Sequence, residues 1–143
     1  MIRYYTQETT FQFQHKRLTS SWLKAVAEAE CKRVGEIGII FCSDPYLLEV
    51  NRKYLGHDYY TDIITFDYCE GDLLSGDLFI SVDTVRDNAA FYGVAFAEEL
   101  HRVIVHGVLH LIGYDDHSDG DTAAMRTAEN RALALLETLS VAR

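Results

Sequence analysis

Residues 105–121, VHGVLHLIGYDDHSDGD, set two histidines into an apolar run and follow a glycine with acids and a third histidine. Apolar residues occupy nearly every face of the helical pattern from Leu100 to Ile112, so we predict a helix over about 97–112 that lies in the middle of the protein. Gly113 can adopt the left-handed conformation that ends a helix and turns the chain back. The other elements are expected to pack around this buried central helix.

Hydrophobic periodicity and turn residues predict the remaining elements. The alternation Phe11-Gln12-Phe13-Gln14 indicates one or two strands near the start of the chain. We then expect a helix from Thr19 or Ser20 to about Val34, a buried strand over 36–43, a helix over 44–55, strands over 61–68 and 76–82, a helix from 83 to 91 capped by Asp83, and a last helix from 118 or 119 to 139. The order β, α, β, α, β, β, α, α, α predicts an α+β fold with a mixed four-stranded sheet and a single domain over 1–143.

Composition narrows the class of protein. The chain is 48% hydrophobic with one proline, which is typical of a globular protein. No apolar run is long enough to span a membrane, and the first residues lack a signal peptide. Three cysteines without a C-x-x-C pair favour reduced thiols and a cytoplasmic location. The net charge of −9 disfavours non-specific nucleic-acid binding, so a nucleic-acid partner would need a local basic patch.

The spacing of the histidines indicates a metal site. His106 and His110 lie four residues apart, on one face of the predicted helix. The turn after Gly113 brings Asp115, Asp116 and His117 to the same end, and three such ligands form an open zinc site. A single histidine on a buried helix is usually a hydrogen-bonded core residue, but a pair at ligand spacing favours metal. The alternative for the acids is a solvated loop that caps the last helix.

Three segments carry a family resemblance. HGVLHLIGYD resembles the signature H-G-x-L-H-L-x-G-Y-D-H of the YbeY family, and LLEVNRKYLGHDYYTDIITF and GDLFIS resemble two further motifs of that family, in its order and spacing. The match covers Leu48 to Met125, about half of the chain. The resemblance implies a metal-dependent endoribonuclease of bacterial ribosomal RNA maturation, with one divalent ion, expected to be zinc. Its expected partners are a ribosomal RNA precursor and the small ribosomal subunit.

The chain departs from the family pattern at three positions. Where the family motif has its histidine after Gly-Tyr-Asp, this chain has Asp116. An ungapped alignment makes Asp116 the third ligand, whereas a one-residue insertion would make it His117. Tyr60 replaces a common proline, and Leu55 replaces an arginine that the family places near the RNA phosphate. That role cannot be carried over to Leu55, so Arg52, Lys53 and Arg102 are the candidate RNA-binding cations.

The sequence leaves the identity of the general base open. Zinc proteases of the H-E-x-x-H type carry a glutamate where this chain has Gly107, which disfavours a protease. Asp58, Asp62 and Asp77 are candidate supporting acids, either as bases or as hydrogen-bond partners of the imidazoles; capping of turns or strand ends is their alternative role. The leading hypothesis is a zinc-dependent endoribonuclease. A ribosome-assembly or RNA-binding factor with a structural metal is the alternative, and a zinc metalloprotease is the less favoured one.

Overall fold

A mixed four-stranded sheet organises the protein, whose computed structural model describes residues 1–141. The strands are β1 (Ile2–Gln7), β2 (Arg33–Cys42), β3 (Ile63–Asp67) and β4 (Leu73–Ser81). The helices are α1 (Lys16–Ala29), α2 (Asp44–Val50), α3 (Val82–Tyr92), α4 (Phe96–Ile112) and α5 (Asp119–Val141), and a π-helical segment, Asn51–Leu55, extends α2. The sheet order is β1-β2-β4-β3; β1 and β4 run parallel to β2, and β3 runs antiparallel to β4. The predicted α+β class and mixed sheet are confirmed.

The central strand β2 is buried on both faces. Residues 37–42 are all buried, as is typical of a parallel strand covered on both sides. Helices α1 and α4 contribute to the larger core on one side, and α2 packs with Ile64 and Phe79 on the other. The predicted buried strand is therefore confirmed, although it begins at Arg33 rather than at Glu36.

Helix α4 contacts β3 and β4 on one side and α3 and α5 on the other. Gly107 makes the sheet contact possible: a Cβ atom there would lie 2.8 Å from Ile63 Cδ1 and 2.9 Å from Leu78 Cδ2. Because both distances are shorter than van der Waals contact, the helix approaches the sheet more closely than a larger residue would allow. This packing fixes the C-terminal half of α4 over β3 and β4.

Helices α1 and α5 are joined by a buried hydrogen bond. Trp22 is fully buried, and its indole Nε1 donates to the carbonyl oxygen of Ala132 on α5 at 2.7 Å. The ring of His101 on α4 packs edge-on against the indole, with the ring centroids 5.7 Å apart. Trp22 therefore links three helices in the core.

The N-terminal segment agrees with the prediction in part: one strand forms near the start of the chain, as β1, but not at the alternating residues 11–14. Residues 11–14 do not form a strand, and their alternating phenylalanines pack on the core instead. The rings of Phe11 and Phe13 both pack on Phe41 of β2, with centroid distances of 5.3 and 4.9 Å. Helix α1 also begins earlier than predicted, at Lys16 rather than near Thr19.

Three other element boundaries differ from the prediction for local reasons. Helix α1 ends at Ala29 instead of near Val34, since Cys31 takes a left-handed φ of 60° and Val34 pairs with β4. Strand β4 begins at Leu73, directly after a turn at Gly71. The cap of α3 is Ser81, whose hydroxyl accepts a hydrogen bond from the Thr84 amide, and not Asp83. None of the helices in residues 1–141 combines the length and apolar character needed to cross a membrane.

Candidate metal centre

A polar cleft opens at the C-terminal end of α4, beside the start of β3. Its volume is about 470 Å³, and nine of its ten lining side chains are threonine, aspartate or histidine. The lining residues are Thr61, Asp62, Ile63, Thr65, Asp67, His106, His110, Asp115, Asp116 and His117. The fold therefore brings the predicted ligands of α4 and of the turn after it to one cleft, together with the segment that leads into β3.

The two α4 histidines face each other in this cleft. Their Nε2 atoms lie 3.1 Å apart, and their ring planes are nearly perpendicular, at 80°. The His106 side chain is 25% exposed and the His110 side chain 27% exposed. The buried helix thus fixes the backbone of both residues while their rings stay open to a small ligand.

The turn after α4 brings Asp116 to the histidines. Gly113 takes a φ of 129°, and the amide of Tyr114 bonds back to the carbonyl oxygen of Leu109 at 3.0 Å. Asp116 Oδ2 then lies 3.6 Å from His110 Nε2 and 3.9 Å from His106 Nε2. One ligand atom from each of these three residues lies within 4.8 Å of the other two, so the group could hold a metal ion.

His117 is oriented differently from its neighbour. Its side chain is 83% exposed, and its Nε2 lies 3.9 Å from Asp115 Oδ1. Within residues 1–141, the group suited to a metal contains Asp116 and not His117. This group is the one that the ungapped alignment predicts.

The donor atoms fit a small divalent ion. Two imidazole nitrogens and one carboxylate oxygen are ligands that zinc accepts, and zinc with bonds of about 2.0–2.1 Å has tetrahedral ligands about 3.3 Å apart. The three observed separations, 3.1, 3.6 and 3.9 Å, lie close to that value. Little side-chain movement is needed for the three atoms to bind one ion.

A buried glutamate supports His106 from α5. Glu129 Oε2 lies 2.7 Å from His106 Nδ1, while Glu129 Oε1 accepts a hydrogen bond from Arg102 Nη1 at 2.9 Å. Sequence reasoning did not identify Glu129. Its position offered a signal, because Met125, Ala128 and Ala132 mark the inward face of α5 and Glu129 falls on that same face. An acid on an inward helix face needs a partner.

The contact between His106 and Glu129 shifts the pKa of both side chains. Burial lowers the pKa of His106, but the hydrogen bond to Glu129 and the charge of that carboxylate outweigh burial and raise it. Burial raises the pKa of Glu129, but the hydrogen bonds from His106 and Arg102 outweigh burial and lower it. Glu129 is therefore held as a carboxylate against the imidazole.

The three candidate acids lie in different places. Asp62 lines the cleft, and burial raises its pKa, an effect that nearby His106 partly offsets. Asp58 is exposed and binds the guanidinium of Arg52. Asp77 alternates along β4 with Leu78, which faces α4, so its side chain points to the opposite face of the sheet, against Gly38. Only Asp62 of the three reaches the cleft.

The candidate cations are already engaged to different degrees. Arg102 has a side chain only 18% exposed, and its two terminal nitrogens bind Glu129 and Asn130, each at 2.9 Å. Arg52 pairs with Glu49 and Asp58 on the surface. The Lys53 ammonium lies 5.3 Å from the centre of the Tyr54 ring. Arg52 and Lys53 are thus surface side chains, whereas Arg102 belongs to the buried network around Glu129.

Comparison with known proteins identifies relatives along most of the chain. The family model described as Endoribonuclease YbeY matches residues 1–137. A protein of Bacteroides thetaiotaomicron named Endoribonuclease YbeY is 58% identical over 134 residues, covering 94% of this chain and 98% of its own. One of the same name from Porphyromonas gingivalis is 48% identical over 136 residues, covering 95% of this chain and 90% of its own. A solution structure of a Thermotoga maritima protein is similar with a TM-score of 0.69 and 26% identity, covering 95% of this chain and 89% of that one.

Proposed function

This chain belongs to the YbeY family of endoribonucleases, and on that basis we propose that it is a zinc-dependent endoribonuclease that hydrolyses RNA phosphodiester bonds. The observation that carries the proposal is the group of His106, His110 and Asp116 in an open, polar cleft. We further propose that residues 1–143 act as one hydrolase domain in the cytoplasm, on a ribosomal RNA precursor associated with the small ribosomal subunit.

Each residue of the group has a distinct task in this proposal. His106 and His110 donate their Nε2 lone pairs, and Asp116 donates a carboxylate oxygen that offsets part of the ion's charge. With three protein ligands, a zinc ion would supply Lewis acidity and lower the pKa of a water molecule towards neutrality. The rigid α4 backbone keeps the two imidazoles in position, so the cleft needs little reorganisation when a substrate phosphate enters.

Asp62 is the acid best positioned to move a proton. It lines the same cleft as the two histidines, and burial raises its pKa. A raised pKa brings a carboxylate closer to the range in which it accepts a proton at neutral pH. We therefore assign the role of general base to Asp62, and not to Asp58 or Asp77.

RNA binding would depend on a small basic patch. Arg52 and Lys53 are adjacent in the π-helical segment that precedes the cleft-lining residues 61–63. The overall charge of −9 repels a polyanion elsewhere on the surface. Arg102 would act differently, since it is committed to Glu129 and Asn130.

The test measures zinc content and RNA cleavage on one preparation, before and after chelation. We expect about one zinc per chain, cleavage of single-stranded RNA that chelation abolishes, and recovery when zinc is returned. The double variant His106→Ala/His110→Ala should lose both zinc and cleavage, while the exposed His117→Ala serves as the matched control. Full zinc content in the double variant would rule out the site.

The same experiment separates the alternatives. Zinc binding and RNA binding without cleavage would indicate an assembly factor with a structural metal. A casein-like substrate tests for protease activity, which the packing of Gly107 disfavours: a glutamate side chain there would collide with Ile63 and Leu78. Chelator-sensitive proteolysis with intact RNA would overturn the endoribonuclease assignment.

A further inference from the structure

We propose that Glu129 is a positioning residue that fixes the tautomer and orientation of His106, so that the Nε2 atom of His106 is free to bind metal. The inference rests on the proposed function, because it takes His106 as a ligand. It concerns a residue of α5, far in sequence from the HGVLH motif and outside the group that would touch the ion.

The geometry around Glu129 leaves its carboxylate little freedom. The side chain is only 6% exposed, and both of its oxygens have partners. Oε2 lies 2.7 Å from His106 Nδ1, and Oε1 lies 2.9 Å from Arg102 Nη1 and 3.4 Å from Arg126 Nη1. Arg102 is itself anchored, because its second terminal nitrogen donates to Asn130 Oδ1. The chain of contacts therefore runs from Asn130 through Arg102 and Glu129 to the imidazole.

The hydrogen bond to Glu129 determines which nitrogen of His106 carries the proton. A carboxylate accepts hydrogen bonds and cannot donate them, so His106 Nδ1 must carry a proton to bind Glu129. A neutral imidazole has a single N–H, and Nε2 is then left with its lone pair. That nitrogen is the one that faces His110 and Asp116. A histidine ligand held in this way by a carboxylate is better oriented and more basic.

Replacing Glu129 with glutamine, which has nearly the same shape, should change the tautomer of His106. In Glu129→Gln the side chain keeps its shape but has one acceptor and one donor. Arg102 has only donors, so the amide oxygen should turn towards Arg102 and the amide NH₂ towards His106. Nδ1 must then accept, and the proton moves to Nε2, where it blocks metal binding. A glutamate that merely filled space or neutralised Arg102 would produce no such change.

The test reads the tautomer and the metal affinity separately. Nitrogen-15 NMR of metal-free wild type, recorded at a pH at which the His106 ring is neutral, should show it protonated at Nδ1, and Glu129→Gln should show it protonated at Nε2. Zinc affinity, measured by competition with a chelator, should fall about 10–100-fold in Glu129→Gln. Arg126→Ala is the matched control, because Arg126 contacts the same carboxylate but has a side chain 59% exposed. It should leave both readouts at wild-type values.

A second variant tests the direction of the amide. In Glu129→Gln/Arg102→Met/Arg126→Ala both guanidinium donors that could capture the amide oxygen are gone, so the oxygen can accept from His106 Nδ1. The Nδ1–H tautomer should return, and most of the lost zinc affinity with it. Circular dichroism checks that each variant is folded. The NMR measurement on metal-free wild type tests the proposal even if a variant fails to fold.

Two results would overturn the proposal: an Nε2–H tautomer in metal-free wild type, or unchanged tautomer and affinity in folded Glu129→Gln. Failure of this proposal can be distinguished from failure of the proposed function. If the wild-type protein binds no zinc, the proposed function fails, while the tautomer measured without metal still decides whether Glu129 positions His106.

Discussion

At the residue scale, Asp116 and His117 are the two candidates for the third metal ligand, and their surroundings differ. Asp116 lies within 3.6 Å of His110, whereas His117 is 83% exposed. We expect Asp116→Ala to weaken zinc binding by more than about 100-fold, because it removes a donor atom and loss of an outer partner alone costs about 10–100-fold. His117→Ala should change the affinity by no more than about twofold, as for most surface substitutions. Chelator competition on both variants measures this; the opposite order would make His117 the ligand.

Asp62 and Asp58 form a second informative pair of residues. Asp62 lines the cleft, and Asp58 is exposed and pairs with Arg52. We expect Asp62→Asn to slow RNA cleavage by about 10²–10⁴-fold with zinc content unchanged, because a positioned general base contributes about that much. Asp58→Asn should cleave at close to the wild-type rate. Single-turnover cleavage with zinc measured on the same samples checks the prediction, and equal rates for the two variants would exclude Asp62 as the base.

Parts of the site were predictable from the sequence for a clear reason. His106 and His110 lie on one helix, and the turn at Gly113 directs the next few residues back towards them, so local spacing predicted the histidine pair and a third ligand from that turn. The choice of Asp116 over His117 came from the ungapped alignment to the family motif. Glu129 lies on a different helix, and its role depends on how α5 packs against α4, which no local pattern states. The sequence also could not separate Asp58, Asp62 and Asp77, since only the sheet shows which face or loop each one occupies.

At the scale of elements, nearly continuous apolar runs predicted strand β2 and helix α4 well, because residues 37–42 and much of α4 are buried. The N-terminal alternation at Phe11 and Phe13 predicted one or two strands near the start of the chain; one forms, as β1, but not at these residues. Both rings reach Phe41 from an irregular segment, so alternation there reflects packing on the core and not sheet pairing. Element boundaries shifted where a left-handed residue, such as Cys31, ended a helix early.

The pairing of β3 with β4 depends on one small residue. A Cβ atom at Gly76 would lie 2.3 Å from the carbonyl oxygen of Phe66, and backbone cannot move aside as a flexible side chain can. We expect Gly76→Ala to lower the free energy of unfolding by about 1–3 kcal/mol, as overpacking does. Gly120→Ala is the matched control, since a Cβ there meets only Ser118 Oγ at 3.9 Å and should be neutral or stabilising. Urea denaturation measures both; equal midpoints would contradict the prediction.

At the scale of the whole molecule, charge sets how RNA is held. The net charge is −9, and Arg52 and Lys53 are adjacent surface cations in the segment that precedes the cleft-lining residues 61–63. We expect the logarithm of the RNA association constant to fall with the logarithm of salt concentration with a slope that corresponds to only about two to four neutralised phosphates. Fluorescence anisotropy over a salt series measures the slope. Arg52→Ala/Lys53→Ala should make it shallower, and a slope for many phosphates would mean that the patch is larger than these two side chains.

The indole of Trp22 has a consequence for spectroscopy. It is the protein's sole tryptophan and is fully buried, so its fluorescence should be emitted at short wavelength and shift to the red on unfolding. Its hydrogen-bond partner, the Ala132 carbonyl, lies one helical turn beyond Glu129 on α5. A displacement of α5 as a rigid helix that moves Glu129 away from His106 will also disturb the indole. The molecule therefore carries an intrinsic, label-free optical reporter for the helix that supports its candidate metal centre.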